Sequence, residues 1–492
     1  MNKYFLLLLT GFTLQFSQAQ NTSDAMRYAQ DNLNGTARFR GMSGAFGALG
    51  GDFSSLSVNP AGGAVFLNNQ AAVTLSNFSI KSDSDYFDGK TTDKKNNFDL
   101  NQLGAVWVFE ARDETSSWNK FTVAVNYENA NNFDNRLFAA GINPSNSISQ
   151  YFLSYANGAR NNYTYENDQI LIGTAGNIIA SNPDAQGDAY ISNVPAGGNY
   201  YQENSISSKG YNGKMSFNLA TQYKDRFYFG VNLNAHFTDY ASKSSFYEDY
   251  LSTPGSSNST GLQALRFNNE LYTYGSGFSF QLGAIAKVTE NLRLGASYES
   301  PTWYQLQDET YQIMVVNCTD CGFSSGQSII EPGSENLIYD TYRLQTPGKY
   351  TGSIAYVFGK LGLISIDYAR KDYSNTKFRP NSSFFSPVNS QLESMLDVTS
   401  ELRVGAEARA KQWSFRGGYR FEQSPYKNST VIGDLYGFSG GLGYNFGRTR
   451  VDAAYSYSER DSQKTFFSQG LVDPTKIQTV NNNVTLTLVF DL

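Results

Sequence analysis

The chain holds one histidine, His236, and two cysteines, Cys318 and Cys321, so any imidazole, thiolate or soft-metal chemistry must be assembled from these three side chains. A Cys-x-x-Cys pair would suit zinc only with further ligands, and the histidine lies far away in sequence. Covalent haem attachment would need a histidine directly after Cys321, where Gly322 stands. In an oxidising envelope the simplest reading is a local disulfide between Cys318 and Cys321. His236 could ligate haem, yet a lone interior histidine is more often hydrogen-bonded to its neighbours. A hydrolase triad would have to use the same histidine, and no nucleophile-elbow motif accompanies it. The sequence therefore predicts no catalytic residue, no metal and no cofactor, and the protein is not read as an enzyme.

A second set of groups is charged and regularly spaced. Glu401, Arg403, Glu407 and Arg409 alternate with Leu402, Val404, Ala406 and Ala408, and Arg416, Arg420 and Glu422 repeat the pattern shortly afterwards. Period-2 spacing puts such charges on one face of a strand and the apolar residues on the other. Arg403, Glu407, Arg409, Arg416 and Arg420 are accordingly placed on the inner face of a barrel. By default they pair across adjacent strands and brace the wall; the alternative is a ladder offered to a ligand.

Positioning these groups requires strands, and the chain is rich in them. Val484, Leu486, Leu488, Phe490 and Leu492 alternate with smaller or polar residues up to the C-terminus, as in the closing strand of an outer-membrane barrel. The same alternation recurs over residues 71–80, 100–110, 120–129, 213–223, 227–238, 275–287, 291–300, 350–358, 361–373, 401–409, 413–422, 435–446 and 450–459, ahead of the last strand at 483–492. Phe121, Val123 and Val125 would face lipid while Thr122, Ala124 and Asn126 face inward. The joints Lys224-Asp225-Arg226, Thr289-Glu290, Gly359-Lys360, Ala410-Lys411-Gln412 and Gly447-Arg448-Thr449 are short enough for periplasmic turns. Residues 130–212, 239–274, 301–349 and 374–400 read as extracellular loops. The predicted fold class is an all-β, transmembrane antiparallel β-barrel of fourteen strands.

Composition agrees with that reading. A mean hydropathy of −0.42 would normally mark a soluble protein, but a barrel spends only every second strand residue on lipid. The 35 Phe and 34 Tyr suit aromatic girdles, and a net charge of −6 without a basic block argues against nucleic acid. Met1-Asn2-Lys3, the apolar Tyr4 to Leu9 and the small-residue site Ser17-Gln18-Ala19 predict a cleaved signal peptide over residues 1–19. Residues 20–68 differ from the rest: Arg38 to Asp52 is crowded with small residues, and Asn59-Pro60-Ala61-Gly62 is strong turn chemistry. Such a segment could fill the lumen of a barrel spanning 69–492. It lacks the Gly-Lys-Ser/Thr ending of a phosphate-gripping loop.

At Asn59, Pro60 and Ala61 the chain resembles the FadL/TodX (OMPP1) family of outer-membrane transporters, whose N-terminal hatch carries an Asn-Pro-Ala motif. Leu294 to Pro301, Leu344-Gln345-Thr346-Pro347, Ile366-Asp367-Tyr368 and Arg416-Gly417-Gly418-Tyr419 with Ser424-Pro425 are similar to later family stretches in the same order. The resemblance implies a hatch-plugged barrel of the Gram-negative outer membrane that passes hydrophobic compounds, such as long-chain fatty acids or aromatics, by diffusion. It also implies release past the hatch and a side opening at a kink in the third strand, here 120–129. Ile148, Tyr151, Phe152 and Tyr155 have helical spacing within the longest loop; they form either an extracellular apolar ligand surface or the core of the loop itself. The expected partners are a hydrophobic small molecule or lipid and the membrane. The alternative function is a non-transporting interaction subunit of an envelope secretion or barrel-assembly complex.

Overall fold

The computed structural model describes residues 21–492 except 114, 159–163, 185–188, 251–260, 320, 322–326 and 331–335; the expected signal peptide, residues 1–19, lies outside the described residues. Fourteen antiparallel strands close the barrel. They are β1 Gln70–Tyr86, β2 Gly89–Glu110, β3 Trp118–Asn132, β4 Tyr200–Tyr223, β5 Phe227–Asp249, β6 Leu262–Lys287, β7 Leu292–Glu299, β8 Lys349–Val357, β9 Gly362–Asp372, β10 Val398–Ala410, β11 Trp413–Glu422, β12 Ile432–Asn445, β13 Thr449–Thr465 and β14 Pro474–Asp491. Each pairs with the next, and β1 pairs with β14 from Gln70–Asp491 to Asp85–Lys476, leaving no edge in the membrane. All fourteen sequence-predicted strands fall on these elements.

Alternation decides which face meets lipid. On β3, Thr122, Ala124 and Asn126 are fully buried, whereas Phe121 is exposed; on β5, Asn232 and Asn234 are buried on either side of exposed Leu233. Trp107, Trp413, Tyr356 and Phe446 stand exposed towards the turn end and Tyr350, Tyr368, Tyr436 and Tyr455 towards the other, as aromatic girdles require. Apart from the β2–β3 connection at 111–117, the turns reverse in two to four residues, with Lys224 and Asp225 at φ 49° and 51°.

The strands outrun their sequence signal on the outer side. β1 and β2 continue as a ladder up to Tyr86–Gly89, although Lys90 to Asn97 carries no apolar alternation. Beyond the membrane both faces of a strand meet water or protein, so hydrogen bonding persists where the lipid pattern ends. Much of the expected loop 301–349 is likewise strand: Trp303–Cys318 pairs with β6 along its whole length.

Above the barrel sits an apolar cap. It includes the helices Ser149–Ala156 and Thr164–Ala175, with Tyr200, Phe246, Tyr250, Phe267, Met314 and Leu471 from the surrounding strands and loops. Cys318 and Cys321 are disulfide-bonded at its edge. Buried Glu248 fixes the first of these helices in place of a local cap: its carboxylate accepts from the backbone N–H of Ile148 at 3.1 Å, from Ser147 Oγ at 2.7 Å and from Gln202 Nε2 at 2.6 Å.

Candidate transport site in the barrel lumen

The described residues before β1 lie inside the barrel. They comprise an N-terminal helix Thr22–Ala29, a strap at 30–36, a one-turn helix Ala37–Gly41 and two 3₁₀ turns, Ser54–Ser57 and Pro60–Val65. Asn59 is the central anchor of the second turn. Its Oδ1 accepts from Ala61 N at 3.1 Å, while its Nδ2 donates to Gly47 O at 2.7 Å and to Ala284 O on β6 at 3.1 Å. Pro60 O accepts from Asn218 Nδ2 on β4 at 2.9 Å. The proline supplies the turn geometry and frees no N–H for burial.

Close approach of this plug depends on bare backbone in the wall. A Cβ at Gly283 would lie 2.0 Å from Asn59 Oδ1, and one at Gly418 would lie 2.5 Å from the carbonyl carbon of Met42. The small residues in the plug were legible from the sequence; the matching glycines on the strands were not.

Charge ties the plug down elsewhere. Glu407 on β10 faces Arg416 on β11 in direct register, and the pair is at 2.6 Å. Arg38 of the plug adds a contact to the same carboxylate at 3.0 Å, Arg416 reaches Asp452 at 2.7 Å, and Arg409 caps Glu407 from a more exposed position. Arg403 and Arg420 face each other directly; each is relieved by the carboxylate two residues away on its own strand, Glu401 and Glu422. The five predicted interior charges therefore share one wall region; Glu407 braces plug to barrel, Arg416 ties strand to strand, and Arg403, Arg409 and Arg420 pair along their own strands. Arg38 is the member that strand spacing could not supply. Asp367 on β9 adds a clasp to the backbone, accepting from the N–H groups of Phe46 and Gly47 at 2.9 Å each.

Between the plug and the barrel wall lies a cavity of about 110 Å³ whose lining includes Asp31, Glu128, Lys214, His236, Lys349 and Lys371. Asp31 bridges Lys349 at 2.9 Å and Lys371 at 3.0 Å. Desolvation pushes its carboxyl up, but the two ammonium groups outweigh this and hold it well below the usual carboxylate range. His236 is held on both sides by hydroxyls, Ser279 Oγ at 2.9 Å and Tyr304 Oη at 3.4 Å. Among the described residues no cluster of three His, Cys, Asp or Glu side chains could hold a metal ion.

The helix face formed by Ile148, Tyr151, Phe152 and Tyr155 is not open to a ligand in this structure. Ile148, Tyr151 and Phe152 are 0–3% exposed within the cap, and Tyr155 packs against them. Its apolar stripe is used up in covering Phe246, Phe267 and the ring of Phe467, 4.5 Å from that of Tyr151.

Beside the cavity the wall is interrupted. The β2–β3 ladder stops at Gln102–Glu128, whereas β1–β2 continues well beyond it, and β3 bulges between Asn129 and Asn131 in its pairing with β4. The plug holds the bulge through Asn34 Nδ2, which donates to Ala130 O at 3.0 Å. Across the unpaired seam, Asp99 Oδ2 accepts from Asn132 Nδ2 at 2.9 Å and from Asn129 Nδ2 at 2.5 Å.

Residues 167–486 match the family described as outer membrane protein transport protein (OMPP1/FadL/TodX). The chain belongs to this family. It is thus an outer-membrane β-barrel channel of the Gram-negative envelope and not an enzyme. Similar solved structures include a FadL homologue of Pseudomonas aeruginosa, with a TM-score of 0.55 at 14% identity over 94% of this chain and 99% of that one. The P. putida toluene transporter TodX gives 0.53 at 14% identity over 94% and 99%. The Ralstonia pickettii toluene transporter TbuX gives 0.50 at 16% identity over 93% and 99%. At such identities the likeness concerns the fold. No curated protein sequence matches the chain.

Proposed function

We propose that this FadL-family channel passes amphipathic, fatty-acid-like molecules from outside into the outer membrane by diffusion, leaving through the seam between β2 and β3. The observation that carries the reading is the position of the wall interruption: Glu128, Ala130 and Asn131 at the bulge also line the cavity. Nearly every other part of the wall is a continuous ladder, and the route below is filled by a plug pinned by Asn59, Asp367 and the Glu407 cluster. A solute in the cavity therefore meets less resistance sideways than downward. Polar linings also favour a molecule with a polar end over a plain hydrocarbon.

The seam can be locked to test this. Asp99→Cys together with Asn132→Cys places two thiols where side chains now touch. Oxidation should abolish uptake of long-chain fatty acids in intact cells, and reduction should restore it. Full uptake through the oxidised variant would refute the lateral route.

The reading as an interaction subunit rests only on the large extracellular superstructure. Stoichiometric co-purification with an envelope complex, from a strain in which deletion leaves hydrophobic uptake normal, would favour it.

A further inference from the structure

Above β7, β8 and β9 the chain builds a small antiparallel sheet on the extracellular side. Trp303–Cys318 pairs with Tyr342–Gln345, and that strand pairs with Lys377–Arg379. The inner face is apolar: Tyr304, Leu306, Tyr342, Leu344 and Phe378 are buried in one cluster. Alternation sends the intervening residues outwards. Trp303, Gln305, Arg343 and Arg379 are exposed, and Gln345 and Lys377 are half-buried. The register sets Gln305, Arg343 and Arg379 in one row across the three strands, with Trp303, Gln345 and Lys377 in the row on the membrane side. Below them, exposed Arg370 on β9 stands opposite the girdle residue Tyr350 on β8.

This face gathers cations and provides no acids for them. Arg343 and Arg379 are directly opposed, an arrangement in which like charges repel. Among the described residues, none of Arg343, Arg370, Lys377 and Arg379 forms an ion pair, although Asp340 lies exposed three residues before Arg343. Asp372, close to Arg370 in sequence, is taken up by its own turn, accepting from Ser374 Oγ at 2.6 Å and from Asn375 Nδ2 at 2.8 Å. Elsewhere on the outer wall an exposed lysine is matched: Lys243 meets Glu270 at 2.6 Å. In a chain of net charge −6 such a patch is a local feature and not a compositional one. It also stands directly over the lipid boundary. Trp303 is 43% exposed, and the rings of Tyr298 and Tyr350 lie 4.9 Å apart beneath it. Trp and Tyr mark the headgroup level of a bilayer, so the cations are presented where outer-leaflet phosphates lie. Guanidinium forks match phosphate oxygens in pairs, and basic side chains beside an anionic lipid surface are drawn to it.

We infer that the exterior face formed by Arg343, Lys377 and Arg379, with Arg370 below, docks the phosphate groups of lipopolysaccharide in the outer leaflet. The phosphates bring the negative charge that the sheet lacks, the acyl chains run down past Tyr350, and Gln305 and Gln345 offer amides to the sugars. β8 and β9 lie across the fourteen-stranded barrel from the seam between β2 and β3, so a docked glycolipid holds the barrel in the leaflet without covering that seam. The assignment does not depend on what the channel carries.

The test uses the full-length protein, purified in dodecyl maltoside and freed of bound glycolipid, with native mass spectrometry during titration with deep-rough lipopolysaccharide. The wild type should bind it at least about tenfold more tightly than the same glycolipid stripped of its phosphates by hydrogen fluoride. Arg343→Gln combined with Arg379→Gln should weaken binding at least about tenfold, whereas Lys243→Gln, which removes the paired lysine elsewhere on the wall, should leave it unchanged. Arg379→Glu separates binding from folding. It gives Arg343 an acid across the register, so the barrel-unfolding temperature on gels should hold or rise while binding is lost. Equal binding of the phosphorylated and stripped glycolipids, full binding by the double variant, or no binding by the wild type would each overturn the site. Loss of binding only in variants whose unfolding temperature also falls would reduce the arginines to a structural role. Displacement of the glycolipid by an equal concentration of inorganic phosphate would overturn the assignment in favour of a simple anion site.

Discussion

Replacing Gly283 by alanine tests whether the plug is seated by wall glycines. The added methyl would sit 2.0 Å from Asn59 Oδ1, 2.8 Å from Pro60 Cδ and 3.1 Å from Ala61 N, so the Asn-Pro-Ala turn must retreat by roughly an ångström to reach ordinary van der Waals distance. That movement carries Asn59 out of range of Ala284 O, now at 3.1 Å, and strains its bond to Gly47 O. Two weakened hydrogen bonds at about 1 kcal/mol each, with overpacking of about 1–3 kcal/mol, bring the loss to roughly 3–5 kcal/mol. The ratio of docked to undocked plug should then fall at least about a hundredfold, since each 1.4 kcal/mol is a factor of about ten. Planar-bilayer recording reads this directly, because a released plug converts a closed barrel into a conducting one. Gly352 on β8 gives the control: a Cβ there meets nothing within 4 Å, so Gly352→Ala should match the wild type. If Gly283→Ala is also as silent as the wild type, the close-approach argument is wrong.

Three further perturbations probe the cap, the wall and the strap. Phe152→Ala should destabilise the cap locally by about 3–5 kcal/mol, opening residues 149–156 to protease while the heat-modifiable transition of the barrel stays put; weaker fatty-acid binding by this variant would make the helix face a ligand surface after all. Arg416→Met strips two buried carboxylates, Glu407 and Asp452, of a shared partner and should cost about 3–5 kcal/mol, seen as a lower barrel-unfolding temperature on gels. Because Asp31 has a folded pKa below its unfolded one, its contribution is present above the ordinary carboxylate range and is lost only as pH falls through the folded value. Hydrogen exchange of the strap should therefore be equally protected at neutral pH and near about pH 4, whereas Asp31→Asn should lose protection at both.

The fourteen strands were legible because lipid imposes period 2 on every one of them, and the alternation at Phe121 to Tyr127 or at Phe227 to Phe237 needs no tertiary information to be seen. The outer extensions were illegible for the converse reason: Lys90 to Asn97 hydrogen-bonds as regularly as the membrane portion, but nothing outside constrains which side chains alternate. Asn59-Pro60-Ala61 could be singled out as turn chemistry, yet Asn59's reach to β6 depends on which glycines the register of distant strands brings opposite it. Tyr151 and Phe152 stood out correctly as one apolar helix face, and only the folded cap shows what covers it.

The interior charges carry the same lesson further. Glu407 and Arg416 look like a strand pair from spacing alone, and they are one; Arg38 joins them from 369 residues away. Arg403 and Arg420, placed opposite each other, would repel as an isolated pair, and the intrastrand partners Glu401 and Glu422 offset that cost. Such pairing uses up nearly every carboxylate in this part of the lumen. The excess positive charge is left on the plug itself, at Arg40, where no strand pattern would have placed it.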